Sequence, residues 1–200
     1  MNRYGLLTAT VIFVFDYSAS AGDAVKAVHD FRVASLKTEL SSSTGVGSKG
    51  AGLTCTPSGT LTWRNIRPEP EEVGHSIAEA LSEVGLDAVS ERTVIPELGP
   101  PSARLLIVAT VTDVKAKLCT PFWGIGKLFG DGRKVKGSGT ISLRLDVYDL
   151  RTRNLYHSFS RDADIAELAG KADRESLITK VIALAVAGAA PDLKLVAARD

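Results

Sequence analysis

The stretch Lys136–Ile165, KGSGTISLRLDVYDLRTRNLYHSFSRDADI, limits the folds open to this chain more than any other. From Ile141 to Val147 every second residue is apolar (Ile141, Leu143, Leu145, Val147), with Ser142, Arg144 and Asp146 between them. A period of two marks a strand with one buried and one wet face. Asp149-Leu150-Arg151-Thr152-Arg153-Asn154 is polar and reads as a turn, and Leu155–Ile165 returns as the partner strand. A hairpin of this length has an apolar face that a second layer must cover.

Two amphipathic segments supply that layer. Pro68 and Pro70 lead into the first, with Glu71 and Glu72 in its first turn, where negative charge suits the helix dipole. Val73, Ile77, Leu81 and Val84 recur at helical spacing, and Gly85 is a stop signal. The second opens at Asp173, a cap residue, and carries Leu177, Ile178, Val181, Ile182 and Leu184 before Gly188 and Pro191 end it. Lys180 interrupts this run, which is too short for a membrane span.

Further strands are expected at Val28–Leu36, Asp87–Thr93 and Arg104–Lys115, and Thr60–Ile66 reads as a short extended piece. Arg104–Lys115 begins apolar on both faces, as a central strand does. Leu40–Gly59, rich in Ser, Gly and Thr, reads as a long loop. The expected fold is a two-layer α/β (α+β) sandwich. A mixed sheet of four to five strands, including the C-terminal hairpin, is packed by two helices in one domain over residues 22–200. The first strand–helix–strand unit is expected to be a right-handed parallel crossover.

Residues 1–21 read as a signal peptide. Arg3 precedes the apolar run Gly5–Phe15, and Ala19-Ser20-Ala21 is a small-residue cleavage site. The competing reading is a buried N-terminal strand, since TATVIFVF is rich in β-formers. Export agrees with the cysteine count. Cys55 and Cys119 are the two cysteines, and an oxidising compartment favours their disulfide; in a reducing one they would be two core thiols. No cysteine stands at the cleavage point to take a lipid.

Motifs of chemistry are sparse. Gly45-Val46-Gly47-Ser48-Lys49-Gly50 matches G-x-G-x-x-G, but AGLTCTPSG follows and cannot open the helix that a dinucleotide needs. There is no C-x-x-C, and His29, His75 and His157 are scattered, so no metal site or cofactor is expected. His29 and His157 align with Phe31 and Phe159 and read as semi-buried, locally hydrogen-bonded histidines. His75 falls on the exposed side of the first helix. Asp146 and Asp149 point to opposite faces of a strand and cannot flank one substrate atom. No catalytic set emerges.

The net charge of the chain is +1, yet Lys115–Lys136 holds six basic residues against Asp131. Within it, Cys119–Gly137 also carries Phe122, Trp123, Ile125, Leu128 and Phe129. Exposed aromatics beside cations mark interfaces. The partner-binding candidates are therefore Phe122, Trp123, Ile125, Lys127, Leu128, Phe129, Arg133 and Lys134, facing an envelope protein, a glycan or an anionic envelope surface. The alternative is that the aromatics fold back onto the sheet. Nucleic acid is not an expected partner, because the whole-chain charge is near zero.

Several segments resemble small α/β domains of bacterial envelope proteins. They are CTPSGTLTW, AEALSEVGLDAV, LLIVATVTDVKAKLC, KGSGTISLRLDVYDLRTRNLYH and the closing alanine-rich helix. The group includes curli-secretion-type and transport-auxiliary lipoproteins. The resemblance implies a non-catalytic periplasmic or secreted accessory role in secretion or envelope assembly, and no catalytic residues. Two other readings stay open: a hydrolase-linked domain using His157, and a subunit of a secretion pore.

Overall fold

The structure is a computed structural model and describes residues 29–51, 55–90, 103–120, 135–172 and 174–198. The strands are β1 (His29–Val33), β2 (Lys37–Thr38), β3 (Gly45–Ala51), β4 (Thr56–Thr62), β5 (Ala88–Ser90), β6 (Ala103–Thr120), β7 (Lys136–Asp149) and β8 (Leu155–Asp164). The helices are α1 (Trp63–Ile66), α2 (Pro70–Glu83), α3 (Arg174–Ala187) and α4 (Ala190–Ala197), with a 3-10 turn at Ile165–Glu167.

Among the described residues eight strands form one mixed sheet built on β6, which is 18 residues long. Along one side β6 pairs antiparallel with β7, from Leu105↔Asp149 to Cys119↔Lys136, and β7 pairs antiparallel with β8. Along the other side β6 takes three parallel partners in succession: β1, then β2, then β3. Outside β1 lies β5, parallel, and outside β3 lies β4, antiparallel. The sheet therefore forks. At one end its order is β8-β7-β6-β1-β5; at the other it is β7-β6-β3-β4. Eight strands replace the four to five expected. The difference arises because one long strand is shared end to end by several short ones.

The hairpin lies where its period of two placed it. Ile141, Leu143, Leu145 and Val147 are buried, as are Leu105, Ile107, Ala109 and Val111 across from them. An extra residue at Thr112 then breaks the register with β7, so that Val114, Ala116 and Leu118 become the inward set. Such a bulge is how a long strand changes its buried parity. The core is closed by Val73, Ile77 and Leu81 of α2 and by Leu177, Ile178, Val181, Ile182 and Val186 of α3.

Helix ends follow local chemistry. Pro70 opens α2 with its φ already suitable, and Gly85, at φ +80°, closes it while the Leu86 N–H donates to the Leu81 carbonyl. Gly74 lets α2 press on the end of β1, since a Cβ there would stand 3.0 Å from the Ala34 carbonyl.

Four expectations are corrected. Leu40–Gly59 is not a loop: β3 and β4 make an antiparallel hairpin within it. Among the described residues of that hairpin only Val46, Gly50 and Leu61 are buried, so it has no readable apolar period, and pairing with β6 recruits it as a strand. Trp63–Ile66 is a helical turn, in which Asn65 Oδ1 accepts from the Thr62 N–H at 3.0 Å. Pro191 does not end helical structure; it stands in the first turn of α4, where its missing N–H costs nothing. His157 is exposed rather than semi-buried, because β8 is the sheet's edge; its ring leans on Phe159 at 5.5 Å between centroids.

The G-x-G-x-x-G match lies on β3, where no helix follows to receive a phosphate. The β1–α2–β5 unit is parallel, as expected. Among the described residues no single helix is long and apolar enough to cross a membrane. The signal-peptide reading of residues 1–21 and the cap at Asp173 lie outside the described residues.

Candidate functional site

The forked end, where β4, β3, β6 and β7 lie side by side, gathers the features that sequence patterning marks as functional. Its backbone is held unusually close. Gly47 and Gly139 have φ of +141° and +142°, and Cβ atoms there would overlap the Ala116 and Lys115 carbonyls respectively. Neither backbone conformation nor space admits a side chain. Gly50 makes room for the disulfide, since a Cβ would sit 2.7 Å from Cys55 Sγ.

Cys55 and Cys119 form that disulfide, with Cα atoms 5.5 Å apart, a normal separation. The bond ties the β3–β4 hairpin to the end of β6. Cys119 is in register with Lys136. The stretch between them therefore leaves and returns on adjacent strands, of which β6 carries the disulfide. The partner-binding candidates Phe122, Trp123, Ile125, Lys127, Leu128, Phe129, Arg133 and Lys134 all belong to that stretch and lie outside the described residues.

What is described is the platform around them. Past the bulge, even-numbered residues of β6 face the core and odd-numbered ones face the side without helices. Register sets Thr60, Ser48, Lys117 and Ser138 in one row across four strands. At roughly 4.8 Å between strands, the row spans about 14 Å. Lys115 lies beside Thr140 one level below, and Lys136 beside Cys119 one level above. Lys115, Lys117 and Lys136 are all exposed. Lys115 has a counter-charge, Asp113, at 3.5 Å. Lys117 and Lys136 have no ion pair among the described residues.

A second polar group lies further down the same face. Asp146 Oδ1 accepts from Ser158 Oγ at 2.6 Å, and Asp146 Oδ2 accepts from Arg144 Nε at 3.2 Å. Arg144 Nη1 donates to Glu39 Oε1 at 2.7 Å. Hydrogen bonds to Asp146 and to Glu39 raise the Arg144 pKa above its already high value, so the guanidinium stays charged. This chain fastens the segment after β2 to β7 and β8. Alternation placed Arg144 and Asp146 on the wet face; nothing local points to Glu39, 105 residues away.

Asp149, on the opposite face, has a separate task. Its Oδ1 accepts the N–H groups of Arg151 at 2.7 Å and Thr152 at 3.0 Å. The Thr152 amide foremost lowers its pKa, against a partial desolvation that raises it; the Arg151 amide and guanidinium add to the lowering.

The histidines are dispersed. His29 Nδ1 lies 2.8 Å from Asp87 Oδ1 at the start of β1. His75 stands on α2, with Nε2 at 3.1 Å from Glu79 Oε1 and Nδ1 at 3.5 Å from Ser90 Oγ. Together they line an open groove of about 520 Å³ between α2 and β5. Sequence reasoning missed this hydroxyl–imidazole–carboxylate chain, because Ser90 reaches α2 only through the crossover. Both His75 and Glu79 side chains are 64% exposed, and the hydroxyl is at the outer limit of hydrogen bonding. Among the described residues, no group of three or more His, Cys, Asp or Glu side chains is placed to hold a metal ion.

No protein-family model matches the sequence, and no curated protein matches it. Solved structures of similar outline include a PelC dodecamer from Paraburkholderia phytofirmans, at TM-score 0.40 and 12% identity, covering 84% of this chain and 93% of that one. A protein from Xanthomonas campestris has TM-score 0.40 and 9% identity over 82% of this chain and 81% of its own. A homolog of a putative neuraminyllactose-binding hemagglutinin from Helicobacter pylori has TM-score 0.34 and 13% identity over 95% and 92%. At these scores the likenesses assign neither a family nor a function.

Proposed function

We propose that this chain is a non-catalytic accessory protein of the cell envelope, periplasmic or secreted, that binds an envelope protein or glycan through the forked end of its sheet. The observation that carries the reading is the Cys55–Cys119 disulfide, placed where the aromatic and basic stretch leaves the sheet. A disulfide persists outside the reducing cytosol. This one braces the base of the segment richest in interface residue types. The rest of the sheet, with α2 and α3, serves as scaffold.

The test is a binding comparison on immobilised envelope proteins and glycans, with wild type beside Trp123→Ala/Phe129→Ala. Binding by wild type that falls at least tenfold in the double variant supports the contact surface. Equal binding by both overturns it.

One observation favours a second reading, a hydrolase. Ser90, His75 and Glu79 form a chain of the residue types used in nucleophilic catalysis. Ester turnover abolished by Ser90→Ala and by His75→Gln would establish it, and no turnover by wild type on a panel of esters would dispose of it.

A further inference from the structure

We infer that the helix-free face of the forked end binds an acidic polysaccharide along a stripe of three lysines. This rests on the reading above that the forked end is the contact surface, and it names the chemistry of the partner.

The lysines do not converge on one point. Lys115 and Lys117 are two residues apart on β6, and Lys136 lies one level further on, beside Cys119. At about 3.3 Å per residue, the three occupy successive levels roughly 7 Å apart, a stripe of about 13 Å. A small anion would meet one of them. An extended chain bearing a charge on successive units meets all three. Lys117 and Lys136 have no ion pair among the described residues, so an incoming carboxylate displaces none there. At Lys115 it competes with Asp113, a pair exposed enough to be weak.

Hydroxyls flank the upper cations, with Ser138, Ser48 and Thr60 in the row of Lys117. Thr140 stands beside Lys115, with the carboxylate of Asp164 next in that row and Asp162 in the row below, so among the described residues the uncompensated charge is at Lys117 and Lys136. Thr60, Ser138 and Thr140 are exposed and Ser48 is half-buried. Each hydroxyl both donates and accepts, which matches the hydroxyl groups of a sugar. The glycine-tight backbone and the disulfide brace the strands that carry these groups, which lowers the ordering cost of binding.

Other polyanions fit less well. A membrane surface needs apolar side chains to insert, and among the described residues the exposed large apolar ones, Val84, Leu155, Tyr156, Leu184 and Leu195, lie away from the stripe. Single-stranded nucleic acid needs aromatic platforms, and among the described residues the stripe has none.

The experiment measures binding of the full exported chain to polygalacturonate, with dextran as the neutral control. Single-stranded DNA and vesicles of phosphatidylglycerol with phosphatidylcholine serve as competing polyanions. The variant is Lys115→Gln/Lys117→Gln/Lys136→Gln, checked for an unchanged melting temperature. Ser138→Ala is a second variant that leaves charge intact. Expected is polygalacturonate binding by wild type that weakens about tenfold in the triple variant, the compounded effect of three exposed charge contacts, and weakens again from 50 to about 300 mM salt. Ser138→Ala is expected to lower polygalacturonate binding while leaving that to DNA unchanged. Equal binding by wild type and triple variant overturns the inference. So does absence of polygalacturonate binding, or binding to DNA or vesicles alone. If the Trp123→Ala/Phe129→Ala pair abolishes capture of an envelope partner while the lysine variant retains it, the contact surface stands and the polysaccharide does not. If wild type captures nothing from the envelope, the functional reading itself fails.

Discussion

Single residues at the forked end carry constraints that composition hides. Gly139 is one of 18 glycines, yet its φ of +142° and the Lys115 carbonyl against it leave no place for a methyl group. Gly139→Ala is therefore expected to cost about 1–3 kcal/mol, read as a lower midpoint in urea unfolding. Gly170, at φ +78°, meets nothing within 4 Å, so Gly170→Ala should cost less. Equal losses at both positions would show that backbone conformation alone sets the cost. Asp149 gives a pH signature. Its pKa is depressed in the folded chain by the Thr152 and Arg151 amides. A depressed carboxylate stabilises the fold above its unfolded pKa, about 3.9, and that stability is lost as pH falls through the lower folded value. Asp149→Ala should cost about 1–2 kcal/mol at pH 7, since two turn amides lose their acceptor. The gap to wild type should narrow below about pH 4, as melting curves at pH 7 and pH 3 would reveal.

At the scale of elements, β6 is the axis. Its first half is packed on both sides of the residue ladder by β1 and β7 and covered by α2 and α3; its last third is held by β3, β7 and the disulfide. The disulfide closes a separation of 64 residues. On the chain-entropy account, losing it costs about 4 kcal/mol. Cys55→Ser/Cys119→Ser should therefore unfold at markedly lower urea, and hydrogen exchange should rise first in β3 and β4, whose outer side is otherwise unpaired. Uniform exchange across the sheet would contradict that division. Strand β7 was legible from alternation alone, because from Ile141 to Val147 one face is apolar and the other polar, and the polar turn after it announced the return strand β8. The hairpin β3–β4 was not. Its glycines and serines have low strand preference, and only the neighbouring β6 makes them a strand.

At the scale of the molecule, the sheet has two unlike ends. One is covered by helices and buries Phe31, Trp63, Ile107 and Leu145; the other presents lysines and hydroxyls on its open face, bordered by Asp113, Asp162 and Asp164. Export is part of the proposed function, supported by the disulfide chemistry and expected from the sequence of residues 1–21. Intact mass of the protein recovered from an expressing bacterial envelope should match a chain beginning at Gly22, less two hydrogens for the disulfide. A mass beginning at Met1, or one that rises with alkylation before reduction, would count against export or the bond. A pore assembly is separately checked by light scattering, where a monomer argues against it.

Sequence alone determined what depends on local order: the long hairpin, the amphipathic face of α2, its stop at Gly85, and the segregation of charge into Lys115–Lys136. Each rests on periodicity or on one residue's backbone preference, which neighbours in the chain suffice to express. Tertiary structure alone decided which strands share β6, that Leu40–Gly59 contains a hairpin, and that the Thr112 bulge turns Lys115 and Lys117 to the open face beside Ser48 and Ser138. Those facts depend on register between strands remote in sequence. A slip of one residue would send every side chain of a strand to the other face.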